Sequence, residues 1–409
     1  MPAAAERGPT VAADLDLGPA ARRFRSEIRE WLAANRPEPL EDTERETYGP
    51  GPGSPYWEWG ERLRAAGYIC VSWPPEHGGR GLSGIEVAVM NEEFARAGAP
   101  RVTRGMGEAL VGPAIIVHGT DEQKAHFLPR IISGEDRYCQ GFSEPGAGSD
   151  LANVQTRGLV DGDDIVLNGQ KVWTSWYHHA TTVFCLCRTD PDAPKHRGIS
   201  YVLVPLHRDD GSGNGVEFRP IRQMTGDSHF AETFLDDARA PLFNVIGDID
   251  NGWRVAMTTL GNERGGGAST QHVQFAREMW ALAKEARARG RSTDPVVRQQ
   301  LAWAYCHVEI MRFQGLRLLS AIAANRDPGP GASMSKMFWS EYQRRLGEHA
   351  MSIVGPDSLL TGDGYSLDRW TATFLGTRAH TIWGGTAEIQ RNIVGERVLG
   401  LPKEPRPGA

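Results

Sequence analysis

Between Tyr138 and Asn244 the chain changes texture, and that change constrains its fold more than any other feature. Short runs rich in β-branched and aromatic residues appear at 165–167, 181–187, 200–204, 216–219 and 232–235. Turn signals separate them, Asp161-Gly162-Asp163-Asp164 and the hairpin dipeptide Asn168-Gly169 among them. Such a block is a small all-β domain. On both sides of it the apolar residues recur at helical spacing. Residues 20–33 place Phe24, Ile28, Trp31 and Leu32 on one stripe, and 57–66 and 85–97 repeat the pattern. A Gly/Pro cluster at Pro74, Pro75, Gly78, Gly79 and Gly81 marks a loop between them. Thr120 and Gln123 form a capping box that opens another helix. Beyond about Gly252 the pattern is helical again, with Asp294-Pro295 opening a long helix through Leu319 and others expected over 334–354 and 387–399. At 409 residues the chain has room for two or three domains. The expected division is a helical domain over 1–137, a β domain over 138–244 and a second helical domain over 245–409.

Composition excludes several function classes. Net charge is −6, from 45 basic and 51 acidic residues, so no basic footprint for nucleic acid exists. No apolar run approaches the roughly 18 residues that span a bilayer. Residues 1–10 lack the apolar stretch of a signal peptide, and a cytoplasmic protein is expected. Of the five cysteines, Cys185 and Cys187 have the wrong spacing for a zinc pair or a redox CxxC and would share one face of a strand. All five read as reduced core residues. His77, His178, His179, His229 and His380 show no ligand spacing with acidic or cysteine partners and read as structural or solvent-facing.

Three segments carry chemistry. Phe142-Ser143-Glu144-Pro145-Gly146-Ala147-Gly148-Ser149-Asp150 is a Gly-rich loop whose backbone N–H groups could approach an anion or a flat ring; on its own it reads equally as a surface turn. Lys171-Val172-Trp173-Thr174-Ser175 reads as a strand whose Trp could equally be core. Leu260-Gly261-Asn262-Glu263-Arg264-Gly265-Gly266-Gly267 puts a Glu-Arg pair, by itself an ordinary solvated face, before three glycines that each cost a helix about 1 kcal/mol relative to Ala.

Together with Trp383-Gly384-Gly385-Thr386-Ala387-Glu388-Ile389-Gln390-Arg391, these segments resemble the acyl-CoA dehydrogenase family of FAD flavoproteins, and the resemblance runs along nearly the whole chain. It implies an α+β fold of an N-terminal helical domain, a middle β-sandwich or barrel, and a C-terminal four-helix bundle. It also implies residue roles. Phe142, Ser143 and Gly148 belong to the flavin-contacting segment, and Ser149 meets the FAD pyrophosphate or the CoA arm. Trp173 lies against the flavin and Ser175 bonds its N5. Gly385 and Thr386 lie near the FAD diphosphate and ribose. In many members a glutamate stands at the position of Gly384; here the base is expected at Glu263, as in the isovaleryl and long-chain subset. The Gly384 backbone N–H keeps its role of holding the thioester oxygen, while Arg264 and Trp383 flank the substrate. The implied reaction is α,β-dehydrogenation of an acyl-CoA to the trans-2-enoyl-CoA, with electrons passed to an electron-transferring flavoprotein. Gly265 to Gly267 leave space for a bulky or branched acyl group.

Two departures bear on assembly. The family's Arg-x-x-Phe, which reaches FAD phosphates across a subunit interface, is replaced by Arg289-Gly290-Arg291-Ser292-Thr293-Asp294-Pro295, with no Phe. Its Gly-Gly-Asn-Gly adenosine contact is replaced by Gly355-Pro356-Asp357-Ser358. A homotetramer and a heterotetramer with a related subunit are both expected from the resemblance, since some actinobacterial relatives share one FAD per unlike pair. A same-fold monooxygenase or oxidase, a carrier-protein-linked dehydrogenase and a non-catalytic partner subunit are the competing readings.

Overall fold

A computed structural model describes residues 18–37, 53–265, 271–323 and 331–403. Among the described residues the N-terminal part has five α-helices: α1 (Gly18–Asn35), α2 (Pro55–Ala65), α3 (Gly84–Ala97), α4 (Gly112–His118) and α5 (Asp121–Ser133). The capping box at Thr120 and Gln123 forms as the pattern requires. Gln123 then donates to the carbonyls of Phe243 and Val245, tying α5 to the end of the β block.

Seven strands follow: β1 (Tyr138–Gly141), β2 (Arg157–Asp161), β3 (Asp164–Ser175), β4 (Thr182–Arg188), β5 (Ile199–Pro205), β6 (Val216–Ile221) and β7 (Phe230–Pro241). They form one sheet that forks at β4, which runs parallel to β1, antiparallel to β5 and briefly parallel to β2. Strands β4 and β5 are buried on both faces, and therefore read as unbroken apolar runs. Val183, Cys185, Val202 and Val204 turn inward with Cys139, Ile165, Leu167 and Leu235, which a flat sheet could not gather into one core. Phe184, Leu186, Tyr201 and Leu203 turn the other way and join the core of the N-terminal helices, alongside Trp59, Trp73 and Ile115.

The C-terminal part begins with α6 (Gly252–Gly265), which packs on α4, on β5 and on α9 (Gly331–Val354). Helices α7 (Gln271–Ala288), α8 (Pro295–Ala323) and α9 share a second core of Phe275, Met279, Leu282, Val308, Tyr342 and Leu346. Asp294 caps α8 by accepting from Val296 and Val297. Helix α10 (Arg369–Gly376) lies along α9 and adds Trp370 to that core, and α11 (Ala387–Ile393) runs into a π-helical turn at Val394–Val398. Among the described residues no helix is long and apolar enough to cross a membrane.

Two expectations are corrected. Asn168-Gly169 is not a hairpin turn: β3 runs straight through it with a register shift against β7. The Asn168 side chain instead exchanges hydrogen bonds with Asp237 across the sheet, 2.9 Å in each direction. A Cβ on Gly169 would sit 2.6 Å from Thr156 Oγ1, so a close strand approach is what requires glycine there. Cys306 is exposed on α8, whereas the other four cysteines are buried. Residues 1–10, Gly266 and Gly267 lie outside the described residues.

Candidate active site

The Gly-rich loop leaves the end of β1. Its Glu144 and Ala147 exchange backbone hydrogen bonds of 3.1 and 3.0 Å, closing a tight turn. Gly146 and Gly148 face open space, with nothing within 4 Å of where a Cβ would sit. The chain's own packing gives no reason for glycine at either position, which suits a surface meant for something laid against it. Ser149 is exposed, and Asp150 pairs with Lys195. The ring of Phe142 is buried edge-on against Phe184 and Tyr201, so at the surface Phe142 offers its main chain. Ser143 O accepts from Val172 N at 2.9 Å and joins the loop to β3.

The core side of that junction is an ion pair. Lys171 Nζ donates to Glu144 Oε1 at 2.7 Å and to Leu186 O at 2.6 Å. Glu144 also accepts from the backbone N–H of Gln155 and Thr156. Burial would raise the Glu144 carboxyl, but Lys171 and these donors hold it below the ordinary range.

Two residues beyond Lys171 the strand breaks register, and Trp173 takes a left-handed backbone conformation at φ 63°. Its indole is 57% exposed. A tryptophan in that conformation costs roughly 1–3 kcal/mol and persists where the surrounding structure imposes it. Buried Thr174 on one side, bonded to Thr233 at 2.7 Å, helps impose it. Ser175 pairs with Phe230 on β7. Phe230 stands edge-on to Trp173, with centroids 6.2 Å apart, and 5.9 Å from the ring of Trp383. Trp173, Phe230 and Trp383 therefore form one aromatic wall, built from two strands and a loop more than 140 residues later in the chain. Ile382 and Gly384, also exposed, flank it.

The 380–386 turn is held from the bundle side. Lys336, buried on α9, donates from Nζ to His380 O at 2.9 Å and to Gly385 O at 2.8 Å. Gln390 donates to Gly384 O at 3.0 Å. Thr386 caps α11 through Ile389 N. Burial, then the charges of Lys336 and Arg378, push His380 down to about 4. His380 is thus a half-buried, neutral ring packed against Trp339 and Trp383.

Glu263 and Arg264 fall in the last turn of α6; their side chains lie outside the described residues. The structure thus brings Trp173, Ser175 and Trp383 together around Phe230, and joins the loop of Ser143, Gly148 and Ser149 to the same strand. Sequence reading missed Phe230 and Lys336, and the roles of Lys171 and Gln390 within the motifs that contain them. The residues present fit a flat aromatic cofactor with a phosphate arm: an exposed indole held in a strained conformation, an open glycine loop beside it, and a turn of successive glycines opposite.

Three family models match the chain: acyl-CoA dehydrogenase, N-terminal domain over 18–135, middle domain over 139–238 and C-terminal domain over 250–399. Acyl-CoA dehydrogenase IpdE1 of Mycobacterium tuberculosis is 44% identical over 385 residues, covering 93% of this chain and 98% of the relative. IpdE1 of Mycolicibacterium smegmatis is 43% identical over 397 residues, 94% of this chain and 98% of the relative. The solved structure of the Tcur3481-Tcur3483 steroid ACAD aligns with a TM-score of 0.78 at 30% identity, covering 95% of this chain and 99% of that one. The ChsE4-ChsE5 complex from Mycobacterium tuberculosis aligns at 0.75 with 31% identity and covers 95% and 99%.

Proposed function

The chain belongs to the acyl-CoA dehydrogenase family, whose members depend on FAD, and from that premise we propose that it dehydrogenates a bulky, branched or ring-bearing acyl-CoA thioester to the trans-2-enoyl thioester. The observation that carries this reading is the apolar wall beside Gly384, where Trp383 and Ile382 stand exposed at 42% and 64% next to the indole that would meet the flavin. A broad, flat apolar surface suits an acyl group wider than a straight chain. The steroid ACAD with its similar fold supports the same choice.

On this reading Glu263 removes the α-proton. The Gly384 N–H donates to the thioester oxygen and stabilises the negative charge that develops there. Ser149 and Arg264 bind the thioester, and Trp173 and Trp383 exclude water from the reacting carbons. Bound through the Gly-rich loop, Trp173, Ser175, Gly385 and Thr386, FAD supplies the acceptor for the hydride leaving the β-carbon and a route for electrons to an electron-transferring flavoprotein.

A second reading concerns assembly. Arg289 is engaged within its own chain, with Asp357 at 2.7 Å, Glu285 at 2.6 Å and Val354 O at 3.0 Å. Arg291 binds Asp294 and the carbonyls of Ser352 and Ile353. Arginines used in this way do not reach a neighbour's phosphates. We therefore favour pairing with a related, non-identical subunit over four copies of this chain; both solved relatives, Tcur3481-Tcur3483 and the ChsE4-ChsE5 complex, carry paired names.

The test is an anaerobic visible spectrum of the flavin-loaded protein against octanoyl-CoA, isovaleryl-CoA and cholyl-CoA, with Glu263→Gln alongside. The reading expects cholyl-CoA to bleach the wild type fastest, and Glu263→Gln to bleach about 100-fold or more slower, as loss of a general base does. Bleaching by no thioester, or equal bleaching in the variant, would overturn it.

A further inference from the structure

The buried ammonium of Lys336 has a role that the reaction as described leaves unassigned. We propose that Lys336, with Gln390, is a positioning residue that sets the direction of the Gly384 N–H, and so the polarisation of the thioester carbonyl. This rests on the function proposed above.

The argument starts from where the two donors point. Lys336 Nζ reaches His380 O and Gly385 O at 2.9 and 2.8 Å, which are the two ends of the turn that carries Trp383 and Gly384. Gln390, fully buried, takes the carbonyl between them, Gly384 O, at 3.0 Å. On the incoming side, Ile382 N and Trp383 N both donate to Ala379 O, at 2.9 and 3.1 Å. Peptide groups are planar and trans, so each C=O points opposite to the N–H that follows it. Drawing the Gly384 and Gly385 carbonyls toward α9 and α11 turns the N–H groups of Gly385 and Thr386 away from those helices. The Gly384 N–H belongs to the peptide between a fixed Trp383 amide and a fixed Gly384 carbonyl, so with both flanking peptides held only a paired rotation about Trp383 ψ and Gly384 φ could redirect it.

The fit is tight. A Cβ on Gly385 would meet Gln390 Nε2 at 2.5 Å, and Gly384 and Gly385 have φ of 61° and 87°, where side chains are strained. Burying an ammonium is costly unless its protons are bonded, and here two of the bonds go to the turn itself. The same helix reaches the turn a second way: Trp339 contacts the edge of His380, which lies against Trp383. Lys336 and Gln390 are buried behind the turn and bond its carbonyls, so they act through Gly384.

The experiment compares wild type with Lys336→Met and Gln390→Met, each as the flavin-loaded assembly, by two readouts. The first is hydrogen–deuterium exchange of the peptide covering 380–387, which needs neither substrate nor turnover. The proposal expects exchange there to speed up by about 10-fold or more while exchange in α7 and α8 stays as in wild type. The second is anaerobic flavin bleaching by cholyl-CoA across concentrations. A displaced donor should lower the limiting rate by about 10- to 100-fold and move half-saturation by less than about 3-fold. Unchanged exchange and rate in both variants overturn the proposal. So does a uniform rise in exchange across the bundle with the rate falling and the half-saturation concentration rising together, which marks a purely structural lysine. If Lys336→Met does not fold, Gln390→Met decides by the same readouts. If the wild type is bleached by no thioester, the proposed function fails, and the exchange readout still decides whether the turn is clamped.

Discussion

Lys171 Nζ lies 2.7 Å from Glu144 Oε1, with the two side chains 0% and 6% exposed. This pair connects two segments that sequence reading treats as separate motifs. Glu144 belongs to the loop of Ser143, Gly148 and Ser149; Lys171 belongs to the strand of Trp173 and Ser175. A buried carboxylate with three donors fixes the loop's distance from the strand more narrowly than an apolar contact would, because its hydrogen bonds are directional.

Lys171→Met should therefore do two things. It leaves a buried carboxylate without its counter-charge, and should cost about 3–5 kcal/mol of stability by chemical denaturation. It also frees the glycine loop, so flavin retained after gel filtration should fall. Glu144 adds an acid limit. Its carboxyl is held below the ordinary 4.5, so its contribution is present above that pH and is lost as pH falls through the lowered value.

Trp173 should behave in the opposite way. It is exposed, and its backbone at φ 63° is strained, so Trp173→Gly relieves strain while losing the contact with Phe230. Glycine's greater freedom in the unfolded chain offsets part of the relief, by about 0.5–1 kcal/mol. Stability is expected to stay within about 1 kcal/mol of wild type, while flavin binding and bleaching fall steeply. A loss of stability as large as that of Lys171→Met would place the indole among the packing residues instead.

The order of helix, sheet and helix was legible because its signals are local. Caps such as Thr120 and Asp294 and stripes such as Phe24-Ile28-Leu32 depend on residues within a turn or two of each other. Asn168-Gly169 was misread because the dipeptide is the same whether it turns a hairpin or bulges a strand; Asp237, 69 residues away, decides between them. The aromatic wall was half legible. Trp173 and Trp383 stood in recognisable motifs, but Phe230 enters only through the pairing of β3 with β7. Gln390 stood in a recognisable motif without a legible role, and Lys336 gave no signal, because a lysine or glutamine in a helical stripe looks the same whether it meets solvent or a carbonyl on another element.

His380 gives the chain a pH dependence of definite sign. Its ordinary value of 6.5 is pushed down to about 4, mainly by burial and then by Lys336 and Arg378. Below pH 6.5 the unfolded chain takes up a proton that the folded chain refuses until about pH 4. Stability is thus fully present above 6.5 and declines as pH falls through that window, by about 3 kcal/mol in all at about 1.4 kcal/mol per pKa unit. His380→Phe keeps a ring against Trp339 and Trp383 and removes the titration. Denaturant midpoints measured from pH 7 to pH 4 should fall less steeply in the variant; parallel curves would show that His380 is not the group responsible.

The arrangement of Arg289 separates the two assemblies. Were Arg289, in the stretch that replaces the family's Arg-x-x-Phe, to reach a neighbour's FAD phosphates in a tetramer of four identical chains, its removal should empty the cofactor site. In the structure it is bonded to Asp357, Glu285 and Val354 O, joining the end of α7 to the segment after α9. Arg289→Leu should then leave the flavin content of the complete assembly unchanged. It should leave stability little changed, because the pairs are exposed and solvent screens them. Chain expressed alone should carry less than one flavin per two copies, and co-expression with its unlike partner should restore it. Loss of flavin from Arg289→Leu in the complete assembly would mean that the arginine leaves Asp357 when the subunits meet, and would favour the homotetramer.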